Sequence, residues 1–474
     1  MNPYHSNQSV YKEIEIPFPN EIFIGNGLSY HIKGWVYSPG RTTRTVEIRI
    51  GSVNQPMDEI KQPRTDVFNL LSAAGSISSR DRKAIYSGFS GCFDLNPILA
   101  GKTIPIRIVA TFTCGFAEVI DQRMVSFKTR EDVSKPIQTQ RNSSNPLPHV
   151  AICMATYNPD IDAFTQQIDS IRRQTYTNWI CIVCDDCSSP DTQRSIQDVL
   201  SGDLRFFFIK HETNLGYYRN FERALYLVPA ETEFVALSDQ DDYWYSDKIE
   251  QLVNRIQEDR KFQLVYSDMR IVSKDGQTIS DTYWRKRKNH YRDIRMVMVC
   301  GTVTGAASLF KRELLNIALP FTQDTGNAFH DHLISCAALA VGKIGYIDKP
   351  LYDYIQHDIN VIGHHEFENE PLAGLILKDL KTLSRLKLRL KSLYQNYDIN
   401  YIRLCLIARS MLLRIGKPVS RLKAFDNTWL SVIRLFFLHI QVRMEKKTTE
   451  NAEIVIVFSY IARKVYKFFL IIER

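Results

Sequence analysis

From His149 onward the chain alternates strand, helix and strand, and that rhythm constrains the fold more than any other feature. His149-Val150-Ala151-Ile152-Cys153-Met154-Ala155 is an unbroken apolar run closed by Thr156-Tyr157-Asn158-Pro159. A run apolar on both faces reads as a strand covered on both sides, as in parallel sheets flanked by helices. Asp160 to Gln174 then sets Ile161, Phe164, Ile168 and Ile171 at helical spacing. Trp179 to Cys184 is the next strand, ending in Asp185-Asp186-Cys187-Ser188-Ser189; a further helical stretch leads to Phe206-Phe207-Phe208-Ile209-Lys210. Such alternation predicts a parallel α/β sheet, and ligands of these sheets bind beyond the carboxyl ends of the strands.

A fourth apolar run, Phe234 to Leu237, stops in Ser238-Asp239-Gln240-Asp241-Asp242-Tyr243-Trp244. Three carboxylates this close repel one another unless they hold protons or a cation. Asp239 and Asp241 alternate across one residue, so in extended chain they point the same way and can share a ligand. Hard oxygen donors of this kind suit Mg²⁺ or Mn²⁺, with the remaining coordination left to substrate phosphates. Taken alone, the segment also fits an acidic surface turn.

The rest of the chain divides on pattern. Residues 1–130 carry short alternating segments, such as Tyr30 to Tyr37 and Thr45 to Ile50, split by Ser38-Pro39-Gly40, and predict a small β-sandwich with no catalytic cluster. It reads either as a sugar-binding or docking module or as a structural appendage. Residues 131–148 are polar and aperiodic, a linker. The α/β region runs over 149–370, and 371–474 turns helical and basic.

The whole chain of 474 residues has a formal charge of +8. Residues 371–474 hold 20 Lys and Arg against 7 Asp and Glu, so the basic excess belongs to the tail and the α/β region is no nucleic-acid surface. Apolar and basic residues interleaved on helices predict contact with an anionic membrane face, although packed helices with solvated charges give the same pattern. Runs such as Ile454 to Ala462 are shorter than the ~20 residues a spanning helix needs. The opening Met1 to Gln8 has no basic start or apolar core and predicts no signal peptide. Nine cysteines, an odd number, then predict reduced thiols and a cytoplasmic setting.

Five motifs in order resemble glycosyltransferase family 2, the inverting enzymes of the GT-A fold, over roughly His149 to Gly363. They are Ala155-Thr156-Tyr157-Asn158, Cys184 to Ser189, Asn214-Leu215-Gly216 with Asn220, Ser238 to Trp244, and His330-Asp331. The Ser-Asp-Gln-Asp-Asp-x-Trp box, Tyr346 to Leu351 and Gln356 to Gly363 are most similar to bacterial rhamnosyltransferase-type enzymes of surface-polysaccharide assembly. The resemblance implies a GT-A nucleotide-sugar sheet between the all-β sandwich and the helical region. It implies a nucleotide-sugar donor (dTDP- or UDP-linked), a glycan or lipid-linked acceptor, and Mn²⁺ or Mg²⁺ as cofactor. By the same likeness Thr156, Tyr157 and Asn158 line the nucleotide pocket, and Asp186 or Asp185 bonds the uracil or thymine ring. Asn214 and Gly216 open a helix toward the ligand, and Arg219 offers the diphosphate a positive charge. Asp239 and Asp241 hold the metal, Asp241 more directly, with His357 a further contact; Asp242 orients its neighbours or the sugar. Asp331 is the general base, against the plainer reading of a carboxylate favoured at any helix start. The setting implied is peripheral, on the inner face of the bacterial cytoplasmic membrane.

Other signals carry less. Cys181, Cys184 and Cys187 have metal-site spacing, but Cys181 falls inside a strand and no second cluster completes a tetrahedral shell. Trp284 to Lys288 is a basic loop suited to donor or lipid phosphates. The chain lacks the Gln-x-x-Arg-Trp motif of processive synthases, and its first strand ends in Thr-Tyr-Asn-Pro rather than a pyrophosphorylase's Gly-rich loop. The alternative from another class is a non-catalytic glycan-binding scaffold at the membrane. Asp186, Asp239, Asp241 and Asp331 retained together argue against it.

Overall fold

A computed structural model describes residues 9–129, 135–138, 148–285, 289–326, 328–356 and 402–417. His357, Lys286 to Lys288 and most of 371–474, on which expectations were placed, lie outside these residues.

Residues 9–129 form the expected sandwich. One sheet orders Tyr11–Ile16, Leu28–Tyr37, Gly88–Leu95 and Glu59–Gln62; the other orders Glu21–Phe23, Ala117–Lys128, Thr103–Phe112, Thr43–Ile50 and Val53–Pro56. Alternation drives their inner faces together: Ile32, Ile48, Phe89, Phe93, Ile108, Phe112 and Phe127 are all buried in one core.

The second unit is a mixed nine-stranded sheet flanked by helices. Its order is Phe206–Lys210, Trp179–Asp185, Val150–Thr156, Phe234–Ser238, Ser308–Lys311, Phe262–Ser273, Lys343–Gln356 and Tyr243–Trp244, with Thr278–Ser280 paired to Phe262–Ser273. The first four strands are parallel, and every residue from Val150 to Met154 and from Trp179 to Asp185 is buried. Ser308–Lys311 then runs antiparallel between Phe234–Ser238 and Phe262–Ser273.

This order fixes where a ligand can sit. From Val150–Thr156 the chain steps outward twice on one side and then crosses to Phe234–Ser238 on the other. The crevice at that reversal lies at the carboxyl ends, where Thr156 pairs with Asp185 and Met154 with Ser238. The acidic turn 239–242 leaves the central strand there and continues into Tyr243–Trp244 at the sheet's far edge.

Residues 402–414 form a helix that wedges between the two units. Leu404, Ile407 and Met411 join the core of the α/β unit, while Cys405 and Leu406 pack on Cys92 of the sandwich. Arg409 makes a two-pronged ion pair with Asp94, both bonds 2.9 Å. The buried Arg414 donates to the carbonyls of Gly27 (2.8 Å), Ile317 (2.8 Å), Ala318 (3.1 Å) and Pro320 (2.6 Å). In this part of the basic region the amphipathic pattern serves packing between domains rather than a membrane face. Among the described residues no helix is long and apolar enough to cross a membrane.

Candidate active site

The loops after the first two parallel strands are locked to each other. Asn158 sits at a φ of 40° and Cys187 at 65°; the left-handed region suits Asn and strains Cys. The Asn158 amide donates to Ser188 Oγ (2.8 Å), and its Oδ1 accepts from the Ser189 amide (3.0 Å). Thr156 is buried, its hydroxyl turned to the Cys184 carbonyl at 3.3 Å. Tyr157 is half exposed and its amide donates to Gln240 Oε1 at 2.8 Å, which ties this loop to the acidic turn. Gln240 is a residue that motif reading passed over.

The paired aspartates both work inward. Asp185 accepts from the Ser188 amide (3.0 Å), Ser188 Oγ (2.5 Å) and Gln193 Nε2 (3.0 Å), which shapes its own loop. Asp186 reaches across the crevice, accepting from the Leu215 amide at 2.7 Å and the Gly216 amide at 2.8 Å. Gly216 caps the helix Tyr217–Tyr226 at a φ of 79°, with open space where a Cβ would stand. Asn214 steadies the same turn by donating to the Asp186 carbonyl at 3.1 Å. In this structure Asp186 is thus a latch on the helix start.

Arg219 departs from expectation. Its guanidinium bonds Glu222 Oε2 at 2.6 Å and the carbonyls of Phe321 (3.4 Å) and Thr322 (3.2 Å), and it lines a cleft against Tyr30 and Phe23 of the sandwich. One helical turn past Gly216, it faces the domain interface instead of a donor diphosphate.

The acidic turn is the electrostatic centre. Burial, then the charges of Asp241 and Asp331, push the Asp239 carboxyl up to about 7, while Lys248 pulls it down. Asp242, expected to orient its neighbours or the sugar, is only 2% exposed. Neither of its carboxylate oxygens makes a hydrogen bond of ordinary geometry, and burial with Asp239 and Asp241 nearby drives its carboxyl far up. Trp244 is packed at 1% exposure, and Tyr243 faces out.

Asp331 lies in the first turn of the helix His330–Val341. Its Oδ2 accepts from the Gly305 amide at 3.2 Å and its Oδ1 from the His332 amide at 2.7 Å. A Cβ on Gly305 would meet His330 Nε2 at 2.7 Å, so only glycine lets this loop approach. His330 is stacked on Phe221 with centroids 3.9 Å apart, a packing residue.

Among the described residues no three His, Cys, Asp or Glu side chains close on one point. A divalent cation would therefore find the Asp239–Asp241 pair, with the rest of an octahedral shell left to donor oxygens and water. The donor set fits such an ion: hard oxygens, mutually repelling, one of them held up by burial and by its acidic neighbours. The cysteine triplet does not fit a metal, since Cys181 and Cys184 are buried strand thiols, Cys184 pushed up to about 12.

Comparison with known proteins covers the same region. Residues 151–317 match the model of glycosyl transferase family 2. The chain is similar to the chondroitin synthase of Escherichia coli, 25% identical over 292 residues, which are 60% of this chain and 39% of that protein. It is 26% identical over 127 residues to the UDP-Glc:alpha-D-GlcNAc-diphosphoundecaprenol beta-1,3-glucosyltransferase WfgD of Escherichia coli, covering 27% of this chain and 48% of that one. The chain thus spans half or less of these relatives. The crystal structure of S. aureus TarS is similar at a TM-score of 0.39 and 15% identity, covering 59% of this chain and 54% of that one. The family match falls on the α/β sheet described above, the region for which the resemblance implied a GT-A fold.

Proposed function

We propose, from the glycosyltransferase family 2 domain that this chain carries at residues 151–317, that it transfers a sugar from a nucleoside diphosphate to a glycan or lipid-linked acceptor in surface-polysaccharide synthesis. The carrying observation is that the acidic turn 239–242 leaves the central strand at the carboxyl ends of the parallel sheet, where the Tyr157 amide ties it to the loop after the first strand.

In the proposed transfer the acceptor hydroxyl attacks the anomeric carbon opposite the leaving group. The new C–O bond forms as the bond from that carbon to the diphosphate oxygen breaks, and the electron pair leaves with the diphosphate. Asp331 takes the hydroxyl proton, and the configuration inverts. The Gly305 and His332 amides hold its carboxylate in place. Asp186 and Asn214 keep the Gly216 turn closed so that the start of the helix faces the donor phosphates. A divalent ion on Asp239 and Asp241 would neutralise charge on the leaving diphosphate.

The name of the WfgD relative supports a UDP-sugar donor; dTDP-rhamnose rests on the likeness of the acidic box and of the segments Tyr346 to Leu351 and Gln356 to Gly363. Attachment to the inner membrane face through the basic region rests on its charge. The test is nucleoside diphosphate release from UDP-glucose, UDP-N-acetylglucosamine and dTDP-rhamnose with Mn²⁺. Release from one donor, lost with EDTA and in Asp241→Ala, is expected. Absence of both release and binding for every donor would favour the scaffold.

A further inference from the structure

The ladder between Val150–Thr156 and Phe234–Ser238 ends at the pair Met154 and Ser238. Beyond it the two chains part, one into the loop after the first strand and the other into the acidic turn 239–242. A side chain takes over where the ladder stops. Gln240 Oε1 accepts from the Tyr157 amide at 2.8 Å, and its Nε2 donates to the Tyr157 carbonyl at 3.5 Å. Its carboxamide thus offers Tyr157 the acceptor and the donor that the peptide groups of a neighbouring strand would offer. Few residues can do this. Asn has the same two groups but is one methylene shorter, and Glu would keep the acceptor, lose the donor and add a further negative charge to the turn.

Each side of this tie is firm without it. On one side, Asn158 is bonded to Ser188 and Ser189, and Asp186 to the Leu215 and Gly216 amides. On the other, the buried Gln167 of the helix Ile161–Arg172 meets Ser238 Oγ at 2.8 Å, and Ser170 Oγ accepts from the Trp244 amide at 3.1 Å. Those anchors hold the acidic turn at its two ends. Gln240 stands between Asp239 and Asp241, so it joins two formed loops rather than forming either one.

We infer that Gln240 is a positioning residue that couples the two halves of the site: it holds Asp239 and Asp241 in register with Thr156-Tyr157-Asn158, so that metal and nucleotide each strengthen the binding of the other. The coupling rests on the transferase reading, and the tie itself rests on geometry.

The experiment compares wild type with Gln240→Met, which keeps the length of the side chain without its amide, and with Gln240→Glu, which keeps the acceptor. Deuterium exchange at the Tyr157 amide reads the tie. It should quicken about three- to tenfold in the Met variant, as expected for loss of one net hydrogen bond, and stay slow in the Glu variant. Calorimetry with UDP, with and without Mn²⁺, reads the coupling. Wild type is expected to bind UDP more tightly with Mn²⁺. Gln240→Met should lose at least fivefold of that tightening, and the gain in Mn²⁺ affinity caused by UDP should shrink by the same factor. Its metal-free UDP affinity should stay within twofold and its thermal midpoint within about 2 °C, because both loops remain anchored. Unchanged exchange at Tyr157 in the Met variant would overturn the tie. Faster exchange with full Mn²⁺ tightening would overturn the coupling and leave Gln240 a merely structural link. A wild type without UDP binding, or without a Mn²⁺ effect on it, would overturn the transferase or the metal reading and the coupling with it; exchange at Tyr157 would still decide on the tie.

Discussion

Replacing Asp186 separates a latch from a base reader. Its carboxylate takes the Leu215 and Gly216 amides at 2.7 and 2.8 Å, at the positive end of the helix Tyr217–Tyr226. Hydrogen bonds to a charged acceptor contribute about 1.5–3 kcal/mol each, and a negative charge at a helix start adds roughly 0.3–1. Leu215 and Gly216 lie near the surface, so water re-satisfies part of what is lost. That leaves about 2–3 kcal/mol for Asp186→Ala and about 1–2 for Asp186→Asn, which keeps one acceptor oxygen. At 1.4 kcal/mol per tenfold, the Leu215 and Gly216 amides of the Ala variant should exchange with deuterium roughly 30- to 150-fold faster. UDP affinity should fall with the closed fraction of the turn, more in Ala than in Asn. Unchanged exchange together with abolished UDP binding would refute the latch and restore Asp186 as the group that reads the base.

Three further outcomes are expected. Asp239, held up to about 7, binds its proton more readily folded than unfolded, so metal-free protein should lose up to about 1.4 kcal/mol per pH unit between roughly pH 4 and 7. Thermal melts in EDTA should show that slope, Asp239→Asn should flatten it, and rising stability over the same range would contradict it. Arg219→Ala should destabilise by about 1–3 kcal/mol by stranding the buried Glu222 while leaving UDP affinity within twofold; a tenfold loss of affinity would return Arg219 to the donor site. Cys187→Gly should stabilise by about 0.5 kcal/mol in urea melts by relieving a left-handed backbone, and destabilisation would mean that the thiol contact to the Glu212 carbonyl outweighs the strain.

What could be read in advance follows from which forces are local. The strands Val150–Thr156, Trp179–Asp185 and Phe234–Ser238 are continuous apolar runs, and burial on both faces leaves that mark in sequence. Their ends carry polar motifs because a parallel sheet exposes its ligand edge there. The positive φ of Cys187 left no mark in the sequence, because a cysteine does not announce a left-handed turn as glycine or asparagine would. The partners of Asp186 and Arg219 were not legible, because each depends on which way a loop or helix turns toward an element far away in the chain. The burial of Lys248 was invisible for a related reason: one lysine on an amphipathic helix looks solvated until the strand bearing Tyr352 closes over it. The helix over 402–414 shows the limit most plainly, since basic amphipathic spacing fits a lipid surface and a domain interface equally.

The most direct test of the transferase reading is Asp331→Asn, measured for nucleoside diphosphate release and for UDP affinity on the same preparation. Asn keeps an acceptor for the neighbouring amides but cannot take a proton at neutral pH. The expected result is a fall in release of about 10²- to 10⁴-fold with UDP affinity within twofold of wild type. Turnover like that of wild type would contradict the assignment of Asp331 as the base, and with it the mechanism proposed for this site.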